Sequence, residues 1–341
     1  MSMIPASSSQ SDKRTSPHYT QDDQSTILPE KIYPPAYFEP TNEYLNKGWR
    51  FMFCNNNFNS DLRVFVSADS VGKYKSFKDA SGAQAAKYAR ELQMQGVGIP
   101  LLKADIHRLS LNKFLTIKRY YVDKQKIKLR GFDSKQDLHD FCVVWKYRHG
   151  SYSTYELKFT PDPYDRKQDF TIVVFQHGVL PIADYVYNGS RYRWIHERRS
   201  YGYIYNYSNF LLCPTQDSMT DNWDKKTNRL EKSIDPNNPL VGGYLSKLLS
   251  IRSHFTKEEY YSPMKLGSLD EKRDFSILGR FKQKASFTMG DIYNTSNDPT
   301  VNYESIYSVS LDALTRICMA LVFKRQEDDD AETTRRKRRS F

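Results

Sequence analysis

The sequence predicts a mainly β protein: a closed antiparallel barrel of about twelve strands, with one surface helix and a buried hydrophobic helix at its C-terminal end. Three observations carry that prediction. From Gly48 onward the chain runs in short aromatic and β-branched stretches divided by polar or Gly/Pro breaks. Many stretches alternate with period two, so that in TYELKF Tyr155, Leu157 and Phe159 share one face and Glu156 and Lys158 the other. Near the C-terminus, SLDALTRICMALVF (310–323) begins amphipathic and ends in seven uninterrupted apolar residues, 317–323. A helix apolar on every side needs burial on every side. Seven residues fall far short of the roughly 20 that cross a bilayer, so the burial lies inside the protein.

The predicted strands, in order, are 49–54, 62–67, 114–122, 126–130, 141–148, 152–160, 170–176, 180–187, 191–196, 201–212, 275–278 and 280–288. Twelve is too many for one plain sandwich and enough to close a barrel. The Ala-rich run 81–95, with Asp79 or Ser81 as N-cap and Gly96 as its stop, predicts a surface helix. Residues 1–30 are rich in Ser, Gln, Asp and Thr and predict a disordered tail, followed by a linker, 31–47. The folded domain spans 48–326, with a polar insertion at 213–272 holding a short helical piece at 244–251. The charged residues 327–341 read as a second disordered tail.

Composition narrows the function classes. The 341 residues are 39% hydrophobic and 27% charged, which suits a globular protein with a sizeable core. Cys54, Cys142, Cys213 and Cys318 are too scattered for a disulfide framework, which predicts a reducing, cytoplasmic setting. Residues 1–30 lack the apolar core of a secretory signal, and no apolar stretch is long enough for a transmembrane helix, which predicts a soluble protein or one peripheral at membranes. The net charge is +11, residues 1–30 are net acidic, and 327–341 hold equal numbers of acids and bases. The excess cation therefore falls on 31–326, and a basic folded surface favours nucleic acid, anionic lipid or acidic proteins.

About twelve strands, an early surface helix and a nearly all-apolar terminal helix, SLDALTRICMALVF, together resemble the tubby C-terminal-like superfamily of tubby proteins, phospholipid scramblases and LURP-one-related proteins. The resemblance covers 49–323. It implies a twelve-stranded barrel threaded by the terminal helix, serving as a non-catalytic scaffold that in several members binds phosphoinositide headgroups. The chain lacks the Pro-rich, Cys-rich N-terminal region and the longer C-terminal hydrophobic span of the scramblases, so lipid scrambling is not expected.

The sharpest motif is Pro34, Pro35, Ala36, Tyr37 in EKIYPPAYFEP. Two prolines pre-set the polyproline II conformation, and a Tyr three positions after the first Pro suits a WW domain. WW domains that read PPxY occur in HECT-type ubiquitin ligases, so the segment is a candidate ligase ligand; otherwise Tyr33, Tyr37 and Phe38 staple it to the barrel. In LTIKRYYVDKQKIKLRG, Lys124, Lys126, Lys128 and Arg130 recur at period two, with Lys118 across a turn, which makes a candidate anion- or lipid-binding strand face or a solubilised edge. In NGSRYRWIHERR, Asn188 and Gly189 predict a tight hairpin that sets Arg191 and Arg193 on one face and Tyr192 and Trp194 on the other. That is a second candidate anion site, or a hairpin with Trp194 in the core and its arginines solvated or paired with Glu197. The run RRKRR, 335–339, is a candidate nuclear import signal and opens the alternative of a nuclear nucleic-acid-associated protein. Phosphate-loop, nucleophile-elbow, HExxH and CxxC signatures are all missing, and the seven histidines stand singly. The expectation is a binding module with no enzymatic activity, cofactor or metal.

Overall fold

The computed structural model describes residues 49–56, 61–107, 110–121, 132–133, 135–198, 205–212, 217–232, 264–271, 281–290 and 302–339. In chain order its elements are β1 (Trp49–Asn56), β2 (Leu62–Phe65), α1 (Ala68–Lys78), α2 (Ala83–Met94), β3 (Leu102–Ile106), β4 (Lys113–Tyr120), β5 (Leu138–Arg148), β6 (Tyr152–Phe159), β7 (Phe170–His177) and β8 (Ile182–Tyr187). There follow β9 (Ser190–Arg198), β10 (Tyr205–Leu211), β11 (Trp223–Asp224), β12 (Arg229–Leu230), β13 (Met264–Glu271), β14 (Phe281–Met289) and α3 (Leu311–Arg339). All but β11 and β12 form one closed barrel: β2 to β10 neighbour one another in chain order, β10 pairs β13, β13 pairs β14, and β14 pairs β1. Every pairing is antiparallel, and closure leaves no sheet edge to be capped. Asn188 and Gly189, at φ 48° and 76°, supply the left-handed pair that a two-residue hairpin turn needs between β8 and β9.

Twelve strands close the barrel as the sequence predicts, but two members differ. The predicted strands 126–130 and 275–278 lie outside the described residues; β3 and β13 take the remaining places. Both are poor β sequences. LKADI carries two charges, and MKLGSLDE carries a glycine at 267, where a Cβ would come within 2.8 Å of the Phe287 ring. With β13 in the wall, the barrel resumes at Met264 and the excursion predicted for 213–272 is shorter. Its described part, 217–232, lies against the outside of the wall. There Met219 and Leu230, with Trp223, cover Val173, Phe175, Ile182, Ile195 and Phe210. The predicted piece at 244–251 lies outside the described residues.

Helix α1 is also unforeseen, because ADSVGKYKSFK contains a glycine and buries only Ser70 and Tyr74, which leaves no helical stripe to read. Ser67 caps it by accepting from the Ser70 backbone N–H at 3.0 Å. Helix α2 sits where the Ala-rich run places it, but its N-cap is Gly82, with no side-chain cap from Asp79 or Ser81.

The inside of the barrel is solid. Tyr155, Leu157 and Phe159 of β6 point inward, as do Tyr192 and Trp194 of β9, and they join one core with residues 317–323 of α3. Within α3, Ala313 to Lys324 are all buried. Phe323 stacks on Tyr207, with centroids 4.8 Å apart, and tilts against Trp194 at 5.2 Å, while the Arg316 guanidinium lies 5.7 Å from the Tyr192 centroid. Tyr187 Oη donates to Asp312 Oδ1 at 2.6 Å where the helix enters. The all-apolar stretch is therefore buried by running through the barrel interior. The helix does not end at 323, however, and the tail predicted as disordered is helical to Arg339. Charge spacing accounts for the extension: Lys324 pairs with Asp328, Arg325 with Asp329, and Glu332 with Arg336, each four residues apart on one helical face.

Candidate functional site

Where α3 leaves the barrel, its polar residues meet a polar rim. Gln326 Oε1 lies 2.7 Å from Tyr155 Oη and accepts from Lys146 Nζ, and Gln176 Oε1 is 3.1 Å from the same tyrosine hydroxyl. Glu327 Oε1 accepts from Tyr207 Oη at 2.7 Å and lies 3.3 Å from His196 Nε2, whose ring stacks on Tyr207. These contacts seal the interior, so the described cavity at this mouth lies outside the seal. It is a cleft of about 360 Å³ walled by His107, Phe114 and Arg148 of the rim and by Arg325, Asp329 and Arg336 of the helix. Glu332 also lines it.

The local backbone explains the cleft. Lys113 pairs with Trp145 and Leu115 with Val144, so on the β5 side Phe114 has no partner and is the extra residue of a β-bulge, while on the other side its carbonyl accepts from the His107 N–H. A bulge re-aims its side chain, and rims of barrels are where bulges concentrate. Phe114 packs against Tyr155 at 5.6 Å, with the Lys146 ammonium 5.4 Å from its ring centroid. Burial, with Arg148 nearby, holds the Lys146 pKa below its ordinary value, although Asp330 and Asp329 act in the opposite sense. Burial likewise raises the Asp329 carboxyl, against the pull of Arg325 and Lys146. Arg148 is exposed, and its guanidinium has neither a hydrogen bond nor an ion pair among the described residues.

Of the sequence-predicted cations, Lys118, Arg191 and Arg193 are described, and each faces an acid of this chain. Arg193 is buried: its Nε and Nη2 donate to Asp184 Oδ1 and Oδ2, both at 2.7 Å, and Nη2 donates to the Asp217 carbonyl at 2.7 Å. Asp184 also accepts from the Met219 N–H and the Ser218 hydroxyl, so the pair is fully engaged beneath the 217–232 segment. Arg193 is therefore not an open anion contact. Arg191 Nη1 donates to Asp221 at 2.8 Å, and Lys118 Nζ lies 3.1 Å from Asp105 and 4.0 Å from Asp140. The face assignment within β9 holds, with Trp194 in the core, but the arginines pair with Asp184 and Asp221. Lys124, Lys126, Lys128 and Arg130 lie outside the described residues, as do Pro34, Pro35 and Tyr37. Among the described residues no group of three or more His, Cys, Asp or Glu side chains is placed to hold a metal, and no helix is long and apolar enough to cross a membrane.

A protein-family model described as DIA1 matches residues 46–332. The chain belongs to the DIA1 family. No curated protein and no solved structure matches it. The DIA1 match takes in every barrel strand and α3 as far as Glu332, so the cleft lies within it except for residues beyond that point, such as Arg336. The PPAY segment, 34–37, precedes it. Sequence reasoning missed the cleft residues because Arg148 and Phe114 sit in unremarkable strands. The spacing of Arg325 to Asp329 and of Glu332 to Arg336 was the legible signal, since it continues the helix that forms the other wall.

Proposed function

We propose that this DIA1-family chain is a non-enzymatic recruitment module with a tubby-like architecture. Its PPAY segment serves as the ligand of a WW-domain protein such as a HECT-type ubiquitin ligase. The observation that carries the reading is the filled interior. A barrel whose lumen is occupied by its own helix from Ala313 to Lys324 offers partners its outer surface, its rims and its flanking segments. Among the flanks, Pro34, Pro35 and Tyr37 form the sharpest recognition sequence, a dozen residues before β1 begins at Trp49. Contact with anionic lipid headgroups rests on Lys124, Lys126, Lys128 and Arg130, because Lys118, Arg191 and Arg193 already face internal acids.

Affinity purification from the native cell tests this, comparing the intact chain with Tyr37→Ala. Loss of WW-domain proteins from the eluate on substitution is the expected result. An unchanged partner set overturns the reading and returns Tyr37 to a packing role.

A further inference from the structure

We propose that the cleft between the barrel rim and the emerging half of α3 binds a small phosphomonoester, with its phosphate among Arg148, Arg325 and Arg336 and its organic part against Phe114. The size fits, since about 360 Å³ falls within the roughly 300–1,000 Å³ of small-molecule sites. The charge fits as well. Three guanidiniums from two separate elements face two carboxylates, Asp329 and Glu332, and each carboxylate pairs with an arginine four residues away on its own helix. Every guanidinium carries five N–H donors in a planar fork, so one ion pair leaves most of them available to an anion. Arg148, on the opposite wall, has all of its guanidinium donors uncommitted among the described residues. A phosphomonoester is a dianion near neutral pH with three terminal oxygens, which suits a cleft lined by three guanidiniums better than a monocarboxylate does.

Phe114 narrows the ligand further. A β-bulge aims its ring at this mouth rather than leaving it in the regular alternation of β4, and an aromatic wall beside a cation cluster favours an anion that carries a flat or apolar group.

Calorimetric titration of the full chain with phenyl phosphate, and in parallel with inorganic phosphate, tests the proposal. The expected result is saturable one-to-one binding, tighter for phenyl phosphate. Arg148→Ala, a change at an exposed side chain with no partner to lose, is expected to weaken both by about tenfold. Phe114→Leu should erase the preference for phenyl phosphate while leaving inorganic phosphate binding in place. Flotation with vesicles containing phosphatidic acid, against vesicles containing phosphatidylserine, separates the sources of the phosphate. Retention on phosphatidic acid that depends on Arg148 assigns a lipid headgroup to the same cleft. Retention on neither vesicle assigns a soluble phosphomonoester, whereas absence of saturable binding to both phosphate probes in the calorimeter, or binding indifferent to Arg148, would overturn the proposal.

Discussion

The two halves of α3 are one continuous helix held by different forces. From Ala313 to Lys324 it is buried on every side and packed mainly by apolar side chains, with Thr315 back-bonded to the Asp312 carbonyl. From Arg325 to Arg336 it carries charged pairs on its own surface and meets the polar collar at the rim. Packing fixes the first half to one place in the molecule, because a close-packed interior tolerates few alternatives. The pairs fix the second half only as helix. Their individual worth is small, and two of the three run from cation to acid, the less favourable order on a helix.

The strongest way to break this comparison is inside the barrel. Phe323→Ala removes a ring packed between Trp194 and Tyr207 and is expected to cost about 3–5 kcal/mol, read as a lowered urea midpoint with an unchanged slope. A loss below about 1 kcal/mol would mean that the lumen is loosely filled.

The same kind of ion pair can also be compared buried and exposed. Asp184→Ala strands the buried Arg193 guanidinium and is expected to cost roughly 3–5 kcal/mol, with the 217–232 segment gaining protease sensitivity. Glu332→Ala breaks the pair with Arg336 on the outer helix and is expected to cost no more than about 0.5 kcal/mol of global stability. Its effect should appear instead as faster amide exchange confined to the last turns of α3.

Between these in size lies a titration at the opposite end of the barrel, near Arg119 and Tyr121. Burial, helped by the Arg119 charge, holds the His139 pKa below its ordinary 6.5, and both ring nitrogens are buried without a hydrogen-bond partner among the described residues. A histidine depressed in the folded state contributes stability that is present above the unfolded value and is lost as pH falls through the folded one. His139→Phe should therefore leave Tm at neutral pH little changed and flatten its decline below about pH 6.5. An unaltered pH profile would place the acid-sensitive group elsewhere.

Much of the barrel was legible because period-two alternation is a local property. Tyr155, Leu157 and Phe159, or Tyr192 and Trp194, declare a shared face with no knowledge of the partner strand. β3 and β13 were not legible, since LKADI and MKLGSLDE owe their strand state to neighbours already in place on both sides. The candidate site was read less well for the same reason. Arg191 and Arg193 looked like open cations because the acids that claim them, Asp221 and Asp184, lie 30 and 9 residues away in the chain. Arg148 was overlooked because nothing local marks a cation as lacking a partner.

By itself, then, the sequence determined the strand texture, the tight turn at Asn188 and Gly189, and the demand that residues 317–323 be enclosed. Each follows from backbone sterics or from the cost of exposing apolar surface to water, and both act over a few residues. Only the tertiary structure decided which strands close the barrel, which cations are neutralised, and that a helix read as ending at 323 emerges as one wall of a cleft. Those outcomes depend on which distant groups share a low-dielectric contact, and chain order does not encode that separation.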